Sequence, residues 1–200
     1  MYRNLWEYVA ALERAGELVR VAAEVDPVLE IAELTDRESK RPRGGRALLF
    51  ERTGTSFPVL TNMMGSDRRI ALALGVESLD DLTRRIESLF SELTAPKTSL
   101  SDKLRMLPLL GRMSRWLPRN RRGRGACQQV VRTGDEVRLS ELPVLKCWPF
   151  DGGRFVTFPL VHTVDPESGV RNVGMYRMQV FSERSTGMHW HGHKTRVKQY

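Results

Sequence analysis

Three of the four histidines in this 200-residue chain lie within five residues of one another: His189, His191 and His193. In an extended strand, alternate side chains point to the same face, so these three imidazoles would share one side. Such a face could bind zinc. The alternative is a half-exposed strand that turns polar side chains outward, and we favour it for His189 and His191 because an isolated HxHxH pattern does not by itself predict a metal site.

Two further residues, Asn172 and Arg177, precede this cluster. The amide oxygen of Asn172 and a nitrogen of His193 form a mixed donor set that Mn²⁺ or Mg²⁺ accepts. The Arg177 guanidinium suits a carboxylate or a phosphate. On a regular strand Asn172 and Arg177 would face opposite sides, and a bulge or twist near Gly174 could re-aim one of them. On spacing alone, a surface arginine in an ion pair is the favoured interpretation of Arg177.

The other reactive side chains are assigned structural roles. Cys147 precedes a turn-rich loop without an evident base, which favours a buried thiol over a nucleophile. His162 lies in an apolar run and is predicted to be a hydrogen-bonded core histidine.

With only two cysteines, Cys127 and Cys147, and no apolar run near the length of a membrane span, we expect a cytoplasmic protein. No sequence motif for a dinucleotide, nucleotide-phosphate or α/β-hydrolase site is present.

The formal charge of +8 is concentrated in one segment. Residues 112–124 hold six arginines and no acid, and the rest of the chain carries only +2. Such a run indicates a solvated linker or helix face more often than an RNA or membrane patch.

The surrounding pattern predicts an α+β protein. Helices are predicted after Asn4, from Asp26-Pro27 to about Lys40, and after the caps Ser66 and Ser78. They alternate with short strands in an N-terminal α/β domain, residues 1–95. A basic linker covers 96–125 and a mainly β unit covers 126–200. Strands are predicted at 18–21, 47–50, 57–61, 128–131, 137–139, 155–164, 172–181 and 188–193.

Three blocks of the β unit, 142–153, 172–179 and 186–194, closely resemble the UbiD family of decarboxylases. In one-letter code they read LPVLKCWPFDGG, NVGMYRMQ and TGMHWHGHK. Residues 5–20 and 24–33 are also similar to the family's opening. The resemblance runs from residue 3 to about residue 196, with its blocks in the family's order.

The resemblance implies a reversible, non-oxidative decarboxylase of aromatic or α,β-unsaturated carboxylic acids, in ubiquinone or menaquinone biosynthesis. The cofactors implied are prenylated FMN, Mn²⁺ and, in many members, K⁺, with a flavin prenyltransferase supplying the flavin. The implied fold is an N-terminal α/β domain, a split β-barrel like that of flavin reductases, and a C-terminal domain that supports homo-oligomers. Peripheral membrane association is a further expectation.

The resemblance also assigns roles to residues. Asn172 and His193 match metal-binding positions, and Arg177 matches a catalytic arginine that faces the substrate carboxylate. The matched cofactor-binding positions form three segments: Met175, Tyr176 and Arg177; His189, Trp190 and His191; and Lys194 with Thr195. The family varies at His189 and His191, so their imidazoles are not expected to be ligands.

The family's second metal-binding glutamate and its proton-donating acid lie downstream of the last matched block. We therefore expect an N-terminal portion with an unfinished barrel, without the C-terminal domain, and inactive alone. Two alternatives remain: a non-enzymatic flavin- or metal-binding module, and a nucleic-acid-associated protein that uses the run from Arg112 to Arg124.

Overall fold

A computed structural model describes residues 2–96, 104, 106–117 and 122–189. The chain divides into two units, of which the first combines Met1–Glu77 with Gly134–Tyr200 and the second is Ser78–Thr133. The predicted domain boundaries at residues 95 and 125 stay predictions. Within the described residues, no helix is both long enough and apolar enough to cross a bilayer.

The N-terminal part of the first unit is a three-stranded sheet packed with helices. Its elements are α1 (Leu5–Arg14), β1 (Leu18–Glu24), α2 (Glu30–Ser39), β2 (Ala47–Arg52), β3 (Val59–Thr61) and α3 (Asp67–Leu74). The central strand β2 pairs parallel with β1 and antiparallel with β3. Its first four residues are all buried, against Ile31 on one side and Tyr8 with Leu12 on the other. Continuous burial of this kind is typical of a strand covered on both faces.

The predicted helix starts at Asn4 and Ser66 are confirmed. The Asn4 side chain accepts a hydrogen bond from the Glu7 N–H, and Ser66 accepts one from Arg69 N–H. Each cap satisfies a backbone donor that has no partner inside the helix.

The predicted start of α2 at Asp26-Pro27 is wrong, because the helix begins at Glu30. The preceding residues pair with a distant segment instead: Leu29 N–H donates to the Lys146 carbonyl, and Lys146 N–H donates to the Pro27 carbonyl. Leu29 adopts a positive φ of 71°, which is incompatible with a helical turn. The backbone contact with Lys146 therefore overrides the helix-start signal of Asp26-Pro27.

The C-terminal part of the first unit holds five short strands. They are β4 (Phe155–Val156), β5 (Leu160–Val164), β6 (Arg171–Met175), β7 (Met178–Val180) and β8 (Thr186–Met188). One sheet has the order β4-β7-β8 and the other pairs β5 with β6, all antiparallel. The described residues thus form small sheets without a closed barrel, in a mixed α+β fold as predicted. The predicted strand 155–164 is interrupted at 157–159, where Pro159 has no N–H to donate.

The predicted strands at 128–131 and 137–139 are wrong. Three short 3₁₀ helices occupy this region instead, at Ala126–Gln128, Gly134–Glu136 and Leu139–Glu141. Val130 and Val131 are 77% and 60% exposed. A β-branched run favours a strand only where a neighbouring strand and a buried face receive it, and the described residues offer neither here.

The second unit is helical in its described part. It contains α4 (Leu79–Thr94), α5 (Leu107–Met113) and a 3₁₀ turn at Ser114–Trp116. The predicted Ser78 cap is confirmed, with Asp81 completing a reciprocal capping box. Among the described residues of this unit, Leu109 alone is buried.

Candidate functional site

The segment from Asn172 to Arg177 is a corner at which the chain passes from one sheet to another. Strand β6 ends at Met175 and pairs with β5, whereas β7 begins at Met178 and pairs with β4 and β8. Tyr176 and Arg177 form the junction. The prediction of a single strand over 172–181, with a bulge or twist near Gly174, is therefore wrong. Because the chain changes sheet, the strict alternation that would put Asn172 and Arg177 on opposite faces does not apply.

Gly174 accommodates the ring of Tyr176. A Cβ built on Gly174 would lie 2.6 Å from Cε2 of Tyr176, closer than real Cβ contacts come. The tyrosine is half-buried. The missing side chain at residue 174 therefore gives the Tyr176 ring its position at the corner.

The guanidinium of Arg177 rests on an aromatic ring. Its Cζ lies 4.6 Å from the centroid of the Phe155 ring, within the range of a cation–π interaction. The strand register explains the contact: Phe155 faces Gln179 across β4 and β7, and residue 177 is two positions before Gln179. Gln179 in turn donates from Nε2 to the Gly152 carbonyl at 2.9 Å.

Arg177 is exposed, and the described residues provide it with no ion pair or hydrogen bond. The interpretation favoured by spacing, a surface arginine in an ion pair, is therefore not what the described part of the chain shows. The Phe155 ring contacts the cation without occupying its N–H donors, and no described residue occupies them, so they can bind a carboxylate or a phosphate.

Phe155 also lines an apolar cavity of about 740 Å³. The wall is formed by β3 and the loop after it, by residues 142–145 and by residues 155–158. Its apolar side chains include Leu60, Met63, Met64, Leu142, Leu145 and Phe158. A cavity of this size and character fits a flat organic ligand. One side chain, Phe155, thus touches both the cavity and the guanidinium.

Asn172 is half-buried in β6 and faces Thr163 across the β5–β6 pair. An amide oxygen beside a hydroxyl is a donor chemistry that suits a hard cation such as Mn²⁺. Within the described residues, however, no group of three His, Cys, Asp or Glu side chains could hold a metal ion. These residues alone do not complete a metal site.

The other predicted site residues are either exposed or lie outside the described residues. His189 is exposed and follows the last residue of β8. Met175, which ends β6, is 53% exposed. Five predicted residues lie outside the described residues: Trp190, His191, His193, Lys194 and Thr195. Their assignments as metal or cofactor contacts stay predictions.

The remaining reactive side chains differ in outcome. Burial, together with the charge of Asp151, raises the pKa of the Cys147 thiol, as expected for a structural cysteine rather than a nucleophile. His162 is exposed on β5, so the prediction of a core histidine is wrong. Alternation along β5 turns Val161 and Thr163 inward and leaves His162 outside.

Comparison with known proteins identifies the family. The 3-octaprenyl-4-hydroxybenzoate carboxy-lyase N-terminal domain matches residues 9–89, and the Rift-related domain of the same carboxy-lyase matches residues 119–200. An uncharacterized protein of Aquifex aeolicus is 47% identical over 194 residues, which are 96% of this chain and 39% of the relative. One of Archaeoglobus fulgidus is 46% identical over 194 residues, 96% of this chain and 38% of the relative.

Solved structures agree with these sequence matches. The closed form of the vanillic acid decarboxylase of Sedimentibacter hydroxybenzoicus is similar with a TM-score of 0.74 and 28% identity, over 100% of this chain and 39% of that chain. An evolved dimeric form of the UbiD-class enzyme HmfF from Pelotomaculum thermopropionicum, in complex with prFMN, has a TM-score of 0.66 and 29% identity, over 96% and 39% of the two chains. This chain therefore spans somewhat more than a third of the relatives' length, and it belongs to the UbiD family.

Proposed function

We propose that this chain provides the substrate-orienting arginine and part of the flavin site of a prenylated-FMN-dependent decarboxylase. The observation that carries the proposal is the Arg177 guanidinium, which lies over the Phe155 ring beside an apolar cavity and has no ion pair or hydrogen bond to the described residues. An apolar cavity next to a fixed cation is complementary to an aromatic or α,β-unsaturated carboxylic acid. The prFMN complex of the HmfF relative and the vanillic acid decarboxylase activity of the Sedimentibacter relative support this choice.

In this mechanism Arg177 binds the substrate carboxylate through two parallel N–H···O bonds and fixes the direction of the bond that breaks. Prenylated FMN, when bound, supplies the electron sink that decarboxylation needs. The apolar cavity excludes water from the ring of the substrate and strengthens the arginine–carboxylate attraction. The proton that replaces CO₂ on carbon comes from an acid that the described residues do not identify.

The flavin site is proposed to include Met175, Tyr176 and Arg177 at the corner, with His189, Trp190, His191, Lys194 and Thr195 further on. The half-buried Tyr176 ring and the open guanidinium suit a flat, anionic cofactor. We propose Asn172 and His193 as Mn²⁺ ligands, since the amide oxygen and the imidazole are donors that this ion accepts. The same proposal includes K⁺ binding, the split-barrel arrangement and an oligomer. It also includes the prenyltransferase partner and a role in quinone biosynthesis.

The nucleic-acid alternative has less support than the enzyme. The family match from residue 119 onward includes Arg119, Arg121, Arg122 and Arg124, so these arginines belong to the family region. The structure adds no observation that favours a non-enzymatic flavin module.

A chimera tests the proposed function. This chain replaces the matching 194 residues of the Aquifex aeolicus relative, and the chimera is supplied with prenylated FMN and Mn²⁺. Release of CO₂ is then measured from a panel of aromatic and α,β-unsaturated acids, with the unaltered relative as the positive control. We expect turnover by the chimera and a loss of at least about a hundredfold in Arg177→Ala, because the bidentate contact disappears. Full activity of Arg177→Ala would refute the role of the arginine.

A further inference from the structure

A second cavity lies in the N-terminal part of the first unit, and the proposed decarboxylase does not use it. It has a volume of about 830 Å³ and is lined by four arginines, Arg41, Arg43, Arg46 and Arg68. It shares one lining residue, Gly65, with the cavity beside Phe155, and none of its four arginines lines that cavity. Anion binding by these arginines would therefore use side chains that the Arg177 corner does not.

The carboxylates nearest these arginines are already paired. Glu38 is buried at 7% exposure; its carboxylate lies 3.1 Å from Arg41 Nε and accepts the Arg46 backbone N–H at 2.9 Å. Glu17 lies 3.2 Å from Arg68 and 3.0 Å from Arg69, which is fully buried.

The acids do not cancel the positive charge of the cleft. The four lining arginines together with Arg69 outnumber the carboxylates of Glu17, Glu38 and Asp67 by two. A concave surface with excess positive charge attracts anions.

Arg43 is held in the cleft by an unusual backbone conformation. Its φ and ψ are 60° and 26°, in the left-handed region that favours glycine. Gly44 and Gly45 follow with positive φ, and a Cβ on them would lie 1.8 Å from the Gly65 carbonyl oxygen and 2.0 Å from that of Glu38. Packing thus fixes the loop, and residue 43 is a position at which glycine would relieve strain.

The side chain that this strained residue carries has no polar partner among the described residues. Arg43 is exposed, and the described residues offer its guanidinium no ion pair or hydrogen bond. A strained non-glycine residue with an open functional group at a cavity wall is a pattern found at ligand sites.

We propose that the arginine cleft binds a small organic phosphate, with its phosphate group on the guanidinium of Arg43 and those of Arg41 and Arg46 on the same loop. Arginine forks match the geometry of phosphate oxygens and bind them in pairs. The volume of the cleft exceeds that of inorganic phosphate and suits an organic remainder of nucleotide size.

The test is a titration of the ¹⁵N-labelled chain with inorganic phosphate at constant ionic strength, followed at the Arg43 Nε–H and the Gly44 and Gly45 amides. We expect saturable shifts, and a loss of affinity of about tenfold in Arg43→Gly, because a charged donor pair to the anion is removed. The same variant should have a higher Tm than the parent, since it relieves the strained φ. That increase separates the loss of binding from unfolding.

Arg37→Gln is the matched control, because it removes one charge from an exposed arginine of α2 that does not line the cleft. It should leave the phosphate affinity within about twofold, as expected for a distant, screened charge. Non-saturable shifts, an Arg43→Gly variant that binds phosphate as tightly as the parent, or an equal loss in Arg37→Gln would each overturn the proposal. None of these readouts depends on Arg177 or on decarboxylation.

Discussion

Replacing Phe155 with leucine tests whether its ring positions Arg177, the proposed carboxylate-binding residue. The substitution keeps an apolar side chain on β4 and in the cavity wall, but it removes the π-face on which the guanidinium lies at 4.6 Å. A cation–π contact of an exposed arginine contributes about 0.5–1 kcal/mol. That free energy corresponds to a two- to fivefold weaker hold on the guanidinium, and we expect carboxylate affinity to fall by about the same factor.

Two measurements separate the contact from its consequence. A guanidinium above a ring has its proton resonances shifted upfield, so Arg177 Nε–H in the parent should lie upfield of the same proton in Phe155→Leu. Benzoate titration of both proteins then gives the ratio of the two dissociation constants. Phe155→Tyr is the matched control, because it retains the ring and should retain both the shift and the affinity.

Three outcomes would each contradict a different part of this prediction. An Arg177 resonance that is unchanged in Phe155→Leu would refute the cation–π contact itself. A lost shift with unchanged benzoate affinity would show that the contact exists but does not position the arginine. Absence of benzoate binding in the parent would contradict the carboxylate site assigned to Arg177, whatever the state of Phe155.

Three further predictions concern packing and titration. Gly174→Ala should lower stability by about 1–3 kcal/mol in chemical denaturation, since its Cβ would lie 2.6 Å from a tyrosine ring, whereas Gly111→Ala, with open space around it, should not. Arg69→Met should lower the free energy of unfolding by about 3–5 kcal/mol, because its charge is buried. Arg68→Met, at the exposed neighbour, should lower it by less than about 1 kcal/mol, although both arginines pair with the same glutamate. The alkylation rate of Cys147, measured against pH in a variant without the other cysteine, should have its midpoint above about 8.5, because burial raises the pKa of this thiol; a lower midpoint would contradict that environment.

Helix starts were predictable from sequence wherever the signal is local. At Asn4, Ser66 and Ser78 one side chain accepts a hydrogen bond from the backbone N–H three residues later, and the helix begins directly after that residue. The start of α2 was not predictable in this way. There the backbone of Pro27 and Leu29 hydrogen-bonds to Lys146, more than a hundred residues away, and no local pattern encodes that partner.

Strands were less predictable, because a strand depends on a neighbour. The β-branched residues Val130 and Val131 resemble a strand in sequence but stay exposed. Phe155 was missed as a site residue for the same reason. Its position in a predicted strand was clear, but the pairing of β4 with β7 that brings it under Arg177 is a contact between segments 22 residues apart.

The corner at Tyr176 and Arg177 gives the site a property that a continuous strand could not. Asn172 is positioned by the β5–β6 pair, whereas Arg177 is positioned by β4 and β7, although only four residues of chain lie between them. A regular strand would direct these two side chains to opposite faces. The change of sheet frees each residue to follow its own sheet, so a proposed metal ligand and a proposed carboxylate-binding residue can be encoded in one short motif. The corner therefore lets one short segment supply side chains to two sheets, and the bare Gly174 that admits the Tyr176 ring is the sequence feature that accompanies it.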